Sequence, residues 1–404
     1  MGQKRTLHSN LLMKVKWLRR KLARRLISRR LFAESRAGAG PVLGRIPVNM
    51  PQAAVNQQPY VPEKFPTEFP SKHRLVWVPT RLKKQPLEIR IYVNARLIGS
   101  SPIGVTQTGH VIRNTISHRR SLIETVLTSG ASSVRKDSRR GVGDRWDGYN
   151  MLLQSRFSNF GHWILEHLCK VIYLQTAAPE ISARCAMVLD ADAEQWKRAS
   201  LELLGVRPDQ VRVYQRPLRP IEVEKLVVPS YPEPHMECLR KLSDTFLARA
   251  RDTGIDTDLG ERLILSRTRF EEQQALTRRY VKNEEALAAA LEPMGFRRVF
   301  PEELSLLQQA TVFEKARIVI GANGSAFTNI IHMRPGGHVL ELFGNRVDLG
   351  FRQLALEMGL THHIVYGNPI PETLTWQHGG RFLDGAFDVD TRALRLLIEK
   401  LVRS

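Results

Sequence analysis

Two rhythms of apolar residues run along the chain. From about Phe157 onward, short apolar runs alternate with longer stretches in which apolar positions recur every three or four residues. The short runs predict strands at Ala186–Leu189, Lys225–Val228, Arg262–Leu265, Arg297–Phe300, Ile318–Ile320, His338–Leu342 and His362–Tyr366. The longer ones predict helices at Phe160–Thr176, Glu194–Leu204, Asn283–Met294, Glu302–Ala316, Ser325–His332 and Asp348–Met358. Gly205 and Gly295 mark helix stops. Such alternation implies βαβ units, so the expected class is α/β, with parallel sheets flanked by helices in two Rossmann-like lobes. Upstream the pattern weakens, with strand-like runs at Arg74–Val78, Glu88–Val93 and Val111–Arg113. The stretch 37–72 reads as a linker, 129–147 as a mobile loop, and the polar segment Arg251–Gly260 as a hinge. The implied divisions are a basic arm (1–45), a first lobe (46–255), a second lobe (256–370) and a tail helix (371–404).

Charge changes this picture at the N-terminus. Residues 1–40 hold twelve Lys and Arg against Glu34 alone, about half of the formal net charge of +21. Over residues 11–32, Leu11, Val15, Leu18, Leu22 and Leu26 form one helical stripe among basic residues. A basic amphipathic helix of this kind favours an anionic membrane surface, although a solvated arm or an organelle presequence has the same composition. The body of the chain is mildly basic, which suits a polyanionic small substrate. No nucleic-acid partner is expected, because no finger, RRM or helix-turn-helix pattern occurs. Cys169, Cys185 and Cys238 show neither CxxC nor metal-ligand spacing, and read as core residues in a reducing compartment. No run of about 18 apolar residues occurs, and no signal-peptide core is present.

The turn Ile320-Gly321-Ala322-Asn323-Gly324-Ser325 carries the strongest chemistry. A strand runs through glycines directly into a helix start, a geometry whose free N–H groups cradle a diphosphate. Asn323, Ser325 and Asn329 add polar atoms that a purely structural turn does not need. Arg267 closes the strand Arg262–Leu265, where it can neutralise a leaving diphosphate, or else form a surface ion pair. Glu341 ends the strand after the turn, where it can bind ribose hydroxyls, or else cap a helix.

A second cluster is Asn159-Phe160-Gly161-His162-Trp163-Ile164-Leu165-Glu166-His167. Spacing of four places Glu166 where it can orient His162, a candidate general base; a buried polar helix start is the alternative. HxxxEH is one residue out of register for a zincin helix, so no metal is expected. The D-x-D pairs Asp190–Asp192 and Asp388–Asp390 precede helices, and Asp192 and Asp390 read as N-caps rather than metal ligands.

Taken together, NFGHWILE, LILSR, RRYVKNEEAL and GFRRVFPEELSLLQQATVFEKARIVIGANGSAFTNIIHMRPGGHVLELF resemble glycosyltransferase family 61, the group often labelled capsular polysaccharide biosynthesis proteins in bacteria. The resemblance covers roughly residues 75–370. It implies a two-lobed GT-B fold, inversion at the anomeric carbon, and no metal or other cofactor. Members of that family vary in donor and acceptor; for this chain the expected donor is a nucleotide sugar, uridine-linked, bound by the second lobe (256–370), and the expected acceptor is a surface glycan or lipid-linked sugar entering from the first lobe (46–255). Arg267, Asn323, Gly324, Ser325 and Asn329 would hold the diphosphate and Glu341 the ribose, while His162, steadied by Glu166, would deprotonate the acceptor. Asn323 stands where the family often has His in a GxHG pattern, and it cannot take up a proton. The implied location is the cytoplasmic face of the inner membrane. A non-catalytic membrane-associated assembly protein is the alternative.

Overall fold

The computed structural model describes residues 42–47, 74–77, 87–99, 102–116, 140–153, 159–215, 219–230, 236–268, 279–377 and 382–403. The predicted basic helix 11–32, most of the linker 37–72 and residues 129–139 of the predicted loop lie outside the described residues. The chain divides into two compact units. Met1–Asn49, Pro86–Ser158 and Glu166–Glu233 make one; Met50–Gln85, Asn159–Leu165 and Pro234–Ser404 make the other.

The first unit is built on seven strands: β1 (Val42–Pro47), β3 (Glu88–Ile98), β4 (Ile103–Val105), β5 (Asp144–Leu152), β6 (Ala186–Asp190), β7 (Val211–Tyr214) and β8 (Ile221–Pro229). They lie in the order β1-β3-β8-β5-β6-β7, with β4 on β3. The strands β8, β5, β6 and β7 run parallel, as the βαβ pattern predicts. β3 is antiparallel to β1, β4 and β8, so this sheet is mixed rather than wholly parallel. Three local expectations are corrected here. β1 forms inside the predicted linker, and β5 begins inside the predicted loop. Around Val111–Arg113 there is a single bridge at Val111 followed by a 3-10 turn at Arg113–Thr115, not a strand.

Helix α1 (160–177) opens as an α-helix at Phe160–His162, passes through a π turn at Trp163–His167, and resumes at Leu168–Ala177. Helix α2 (Gln195–Leu203) ends before Gly205, whose positive φ of 77° favours glycine.

The second unit carries a five-stranded sheet of β9 (Arg262–Leu265), β10 (Phe296–Val299), β11 (Ile318–Ala322), β12 (His338–Phe343) and β14 (Thr361–Tyr366). Every pair in it is parallel. A short side pair, β2 (Arg74–Trp77) with β13 (Arg346–Asp348), completes the strands that matter here. The order β10-β9-β11-β12-β14 is the 2-1-3-4-5 arrangement of a doubly wound sheet. Its winding reverses between β9 and β11, and such sheets bind ligands beyond the carboxyl ends of the strands at that reversal.

Helices cover both faces of this sheet. On one face Ile264, Ile318, Ile320, Leu340 and Leu342 pack with Leu287 and Leu291 of α4 (Glu284–Leu291) and with Leu394 and Ile398 of α7 (Thr391–Arg403). Side chains alternate along a strand, so Val339 and Glu341 face the opposite side. That side carries α3 (Met236–Asp252), α5 (Leu306–Lys315), the 3-10 helix Ser325–His332 and α6 (Gly350–Glu357). Helix α5 starts at a capping box: the Ser305 hydroxyl accepts from the Gln308 N–H, and the Gln308 side chain accepts from the Ser305 N–H. Helix α3 has no counterpart in the predicted elements. It buries Leu239, Leu242, Phe246 and Ala250 in the second unit, so the polar stretch Arg251–Gly260 lies within that unit.

A pH effect follows from this packing. His332 is buried, stacked on Phe246 at 6.1 Å between ring centres, with Nδ1 2.8 Å from the Ser243 hydroxyl. Burial pushes its pKa down to about 3. The folded chain therefore keeps His332 neutral while the unfolded chain protonates it near 6.5, so its contribution is present above that pH and lost as pH falls. Between pH 7 and pH 5 the loss should be about 2 kcal/mol. Urea unfolding at both pH values should show a pH difference smaller by that amount in His332→Gln.

Candidate functional site

The two strands that flank the winding reversal deliver the candidate residues. β9 ends in Ser266-Arg267. The buried Ser266 hydroxyl donates to Glu284, in the first turn of α4, and that carboxylate also accepts the Arg267 N–H. Burial raises the Glu284 pKa, while the Ser266 bond and nearby Arg298 pull it back. This anchorage directs the half-buried Arg267 toward the next strand, where its Nη1 donates to the Asn323 carbonyl at 3.2 Å.

β11 supplies the turn, and its two glycines serve different needs. A Cβ on Gly321 would stand 2.9 Å from Leu265 Cβ and 3.0 Å from the Leu265 carbonyl, so glycine lets β11 lie against β9. At Gly324 a Cβ would stand 2.8 Å from Arg267 Nη1 and 3.3 Å from its Cζ. Gly324 is extended, with φ 179°, so space for the guanidinium, rather than backbone freedom, is what its missing side chain provides. Ser325 then opens the 3-10 helix.

Asn323 is the centre of the cluster. Its Nδ2 donates to Glu341 Oε1, and its Oδ1 accepts from Arg279 Nη1. Glu341 lies behind it, fully buried, its other oxygen 2.9 Å from His362 Nε2. Burial raises the Glu341 pKa, with His362 and Asn323 acting the other way. The carboxylate expected to meet the ribose has no exposed surface here, and both of its oxygens are engaged inside the unit. Asn329 is likewise turned inward, 3% exposed, with Nδ2 donating to Gln309 Oε1 of α5 at 2.8 Å. Arg279 and His362 are additions to the predicted set. Arg279 stood inside the RRYVKNEEAL stretch without a role, and His362 carried no local signal.

The second predicted cluster adjoins the first. Asn159 caps α1 by accepting the His162 N–H at 3.1 Å. Gly161 packs against the start of the 3-10 helix: a Cβ there would meet Thr328 Oγ1 at 3.3 Å and Ser325 Cβ at 3.5 Å. The half-buried His162 thus sits at a helix start that abuts Ser325. Glu166 belongs to the first unit, where its charge raises the pKa of Lys170 against the burial that brings it down to about 8. Lys170 Nζ also lies 3.4 Å from His167 Nδ1.

The two D-x-D pairs differ. Asp390 caps α7, accepting the Ala393 N–H at 2.9 Å. Asp192 does not cap α2; Glu194 occupies that position, without a side-chain bond. Asp190, at the end of β6, has its pKa raised to about 6 by burial and by Asp192. Among the described residues no group of three or more His, Cys, Asp or Glu is placed to hold a metal ion, and no helix is long and apolar enough to cross a membrane.

Chemically, the site offers guanidinium groups and a helix start at the carboxyl edge of a parallel sheet, with an imidazole on the adjoining helix. Residues 160–340 match the model of a family described as Glycosyltransferase 61. That span takes in His162, Arg267, Arg279 and the Gly turn, and stops just short of Glu341. No curated protein matches the chain.

Proposed function

Taking as premise that the chain belongs to the glycosyltransferase 61 family through residues 160–340, we propose that it transfers a sugar from a nucleotide-sugar donor, uridine-linked, to a surface-glycan or lipid-linked acceptor. One observation carries this reading. Arg267 lies over Gly324 at the sheet's winding reversal, and the helix start bearing His162 packs on the residue that follows. A diphosphate beside Gly324 and Ser325 would meet a guanidinium and backbone N–H groups. Those groups would stabilise the charge of the departing nucleotide without a metal, and in-line attack would invert the anomeric carbon. His162 would accept the proton of the acceptor hydroxyl. Asn323 acts from the turn, whereas Glu341 and Asn329 support it from behind. The two units would serve as the lobes of a GT-B enzyme. The basic segment 11–32 would hold the enzyme on the anionic inner face of the membrane.

Thermal unfolding of the full chain with UDP, GDP, CMP and their sugars, with and without chelator, tests this. A ligand at about 100 times its Kd adds about 2.7 kcal/mol of apparent stability, which moves the midpoint clearly. UDP or a UDP-sugar should shift it equally in chelator. If no nucleotide moves the midpoint, the donor assignment is wrong.

A further inference from the structure

Two guanidinium groups converge on one residue: Arg267 on the Asn323 carbonyl, Arg279 on the Asn323 side chain. We propose that Arg279 is a second cation for the donor's diphosphate, and that the buried Glu341–His362 pair positions it through Asn323. This rests on the nucleotide-sugar reading above and extends it by three residues.

The argument turns on the sense of each hydrogen bond. A carboxylate accepts only and a guanidinium donates only. Asn323 between them has one workable orientation: Nδ2 to Glu341, Oδ1 to Arg279. His362 fixes the rotamer of Glu341 in turn, bonding to its second oxygen at 2.9 Å. His362 Nδ1 makes no hydrogen bond among the described residues, so the imidazole has a single polar task there, toward Glu341.

The cost of this chain indicates what it does. Burying a carboxylate fully is unfavourable, and apolar residues at the same strand positions would stabilise the sheet at least as well. Glu341 stands between Leu340 and Leu342 in a strand whose residues from Val339 to Phe343 are otherwise apolar. What it provides is an amide locked in place at the carboxyl end of β11, next to the winding reversal where a doubly wound sheet binds its ligand. Arg267 is fixed from the opposite side, by Glu284 and Ser266 acting on its own backbone turn. Each guanidinium therefore has its own anchorage, and the two meet at Asn323. Paired cations of fixed direction suit a diphosphate, whose oxygens accept several charge-assisted bonds at once.

Calorimetry on the full chain, with UDP, inorganic pyrophosphate and uridine as probes, tests the assignment. Arg279→Met should weaken UDP and pyrophosphate binding by about tenfold or more and leave uridine unchanged. Glu341→Gln should weaken pyrophosphate by about tenfold when Asn323 is present and have no further effect in Asn323→Ala. His362→Gln, which can still donate to Glu341, should bind better than His362→Leu; this pair carries the comparison if Glu341→Gln does not fold. Unchanged pyrophosphate affinity in Arg279→Met, or independent effects of Glu341→Gln and Asn323→Ala, overturns the proposal while wild-type UDP binding keeps the donor reading intact. A wild-type chain that binds neither UDP nor pyrophosphate overturns both.

Discussion

His162→Ala is expected to lower turnover by about 10²–10⁴, the usual contribution of a positioned general base. The expectation comes from how firmly the residue is placed. Its backbone N–H is held by Asn159, and Gly161 next to it sits against Ser325 and Thr328, at the entrance of the Gly turn. A Cβ at 161 would already touch Thr328 and Ser325, so a side chain longer than alanine would have to displace that helix start. Since His162 is proposed to touch the acceptor and not the nucleotide, the KM for the donor should stay within a few-fold of wild type. His162→Gln, similar in size but unable to take a proton at neutral pH, should be about as slow as His162→Ala. Steady-state rates with saturating donor decide the matter: a His162→Ala enzyme with full turnover has its base elsewhere.

Loss of Arg267 should be the second large effect. Removing one preorganised group that stabilises developing charge costs about 10²–10³ in rate, and Arg267→Met should fall in that range for kcat/KM. A sharper version uses the glycines. In Gly324→Ala the new methyl meets the far end of a flexible side chain, so the chain should fold normally while Arg267 is displaced. Misplacing a catalytic group by about 1 Å can cost about 10²-fold. In Gly321→Ala the methyl meets the backbone carbonyl of Leu265 on the neighbouring strand, which cannot move without disturbing β9 and β11. That variant should lose about 1–3 kcal/mol of stability. Melting curves and kinetics on both variants separate the two causes; a Gly324→Ala enzyme with wild-type kcat/KM would show that the guanidinium position is unimportant.

The second unit is legible in the chain because short, largely apolar runs alternate with helical ones and Gly295 marks a helix stop. The Gly turn is legible for a similar reason: glycines at a strand-to-helix junction are a local signal. Other features depend on distant partners. Asp144–Leu152 pairs with two strands, yet Asp, Arg and Gly break its alternation. Helix α3 is amphipathic, but its charged residues blend into the polar stretch that follows. Arg279 and His362 lie 44 and 39 residues from Asn323, on segments that only folding brings to it. Glu341 shows the limit most clearly. Its place at the end of an apolar strand is visible, whereas the histidine on the adjacent strand that makes it an inward-facing residue is not.

The π turn at Trp163–His167 follows directly on His162. A π turn holds one residue more than the α-helix needs, and such insertions recur at functional positions. Its effect resembles a shim in a threaded joint: the thread continues, but everything before the shim is rotated relative to everything after it. Each helical residue accounts for about 100° of rotation. Removing one residue from Trp163–His167 would therefore give a more regular helix and turn His162 by about that angle about the helix axis relative to the residues that follow. The extra residue of the turn thus sets the rotation at which His162 enters the helix.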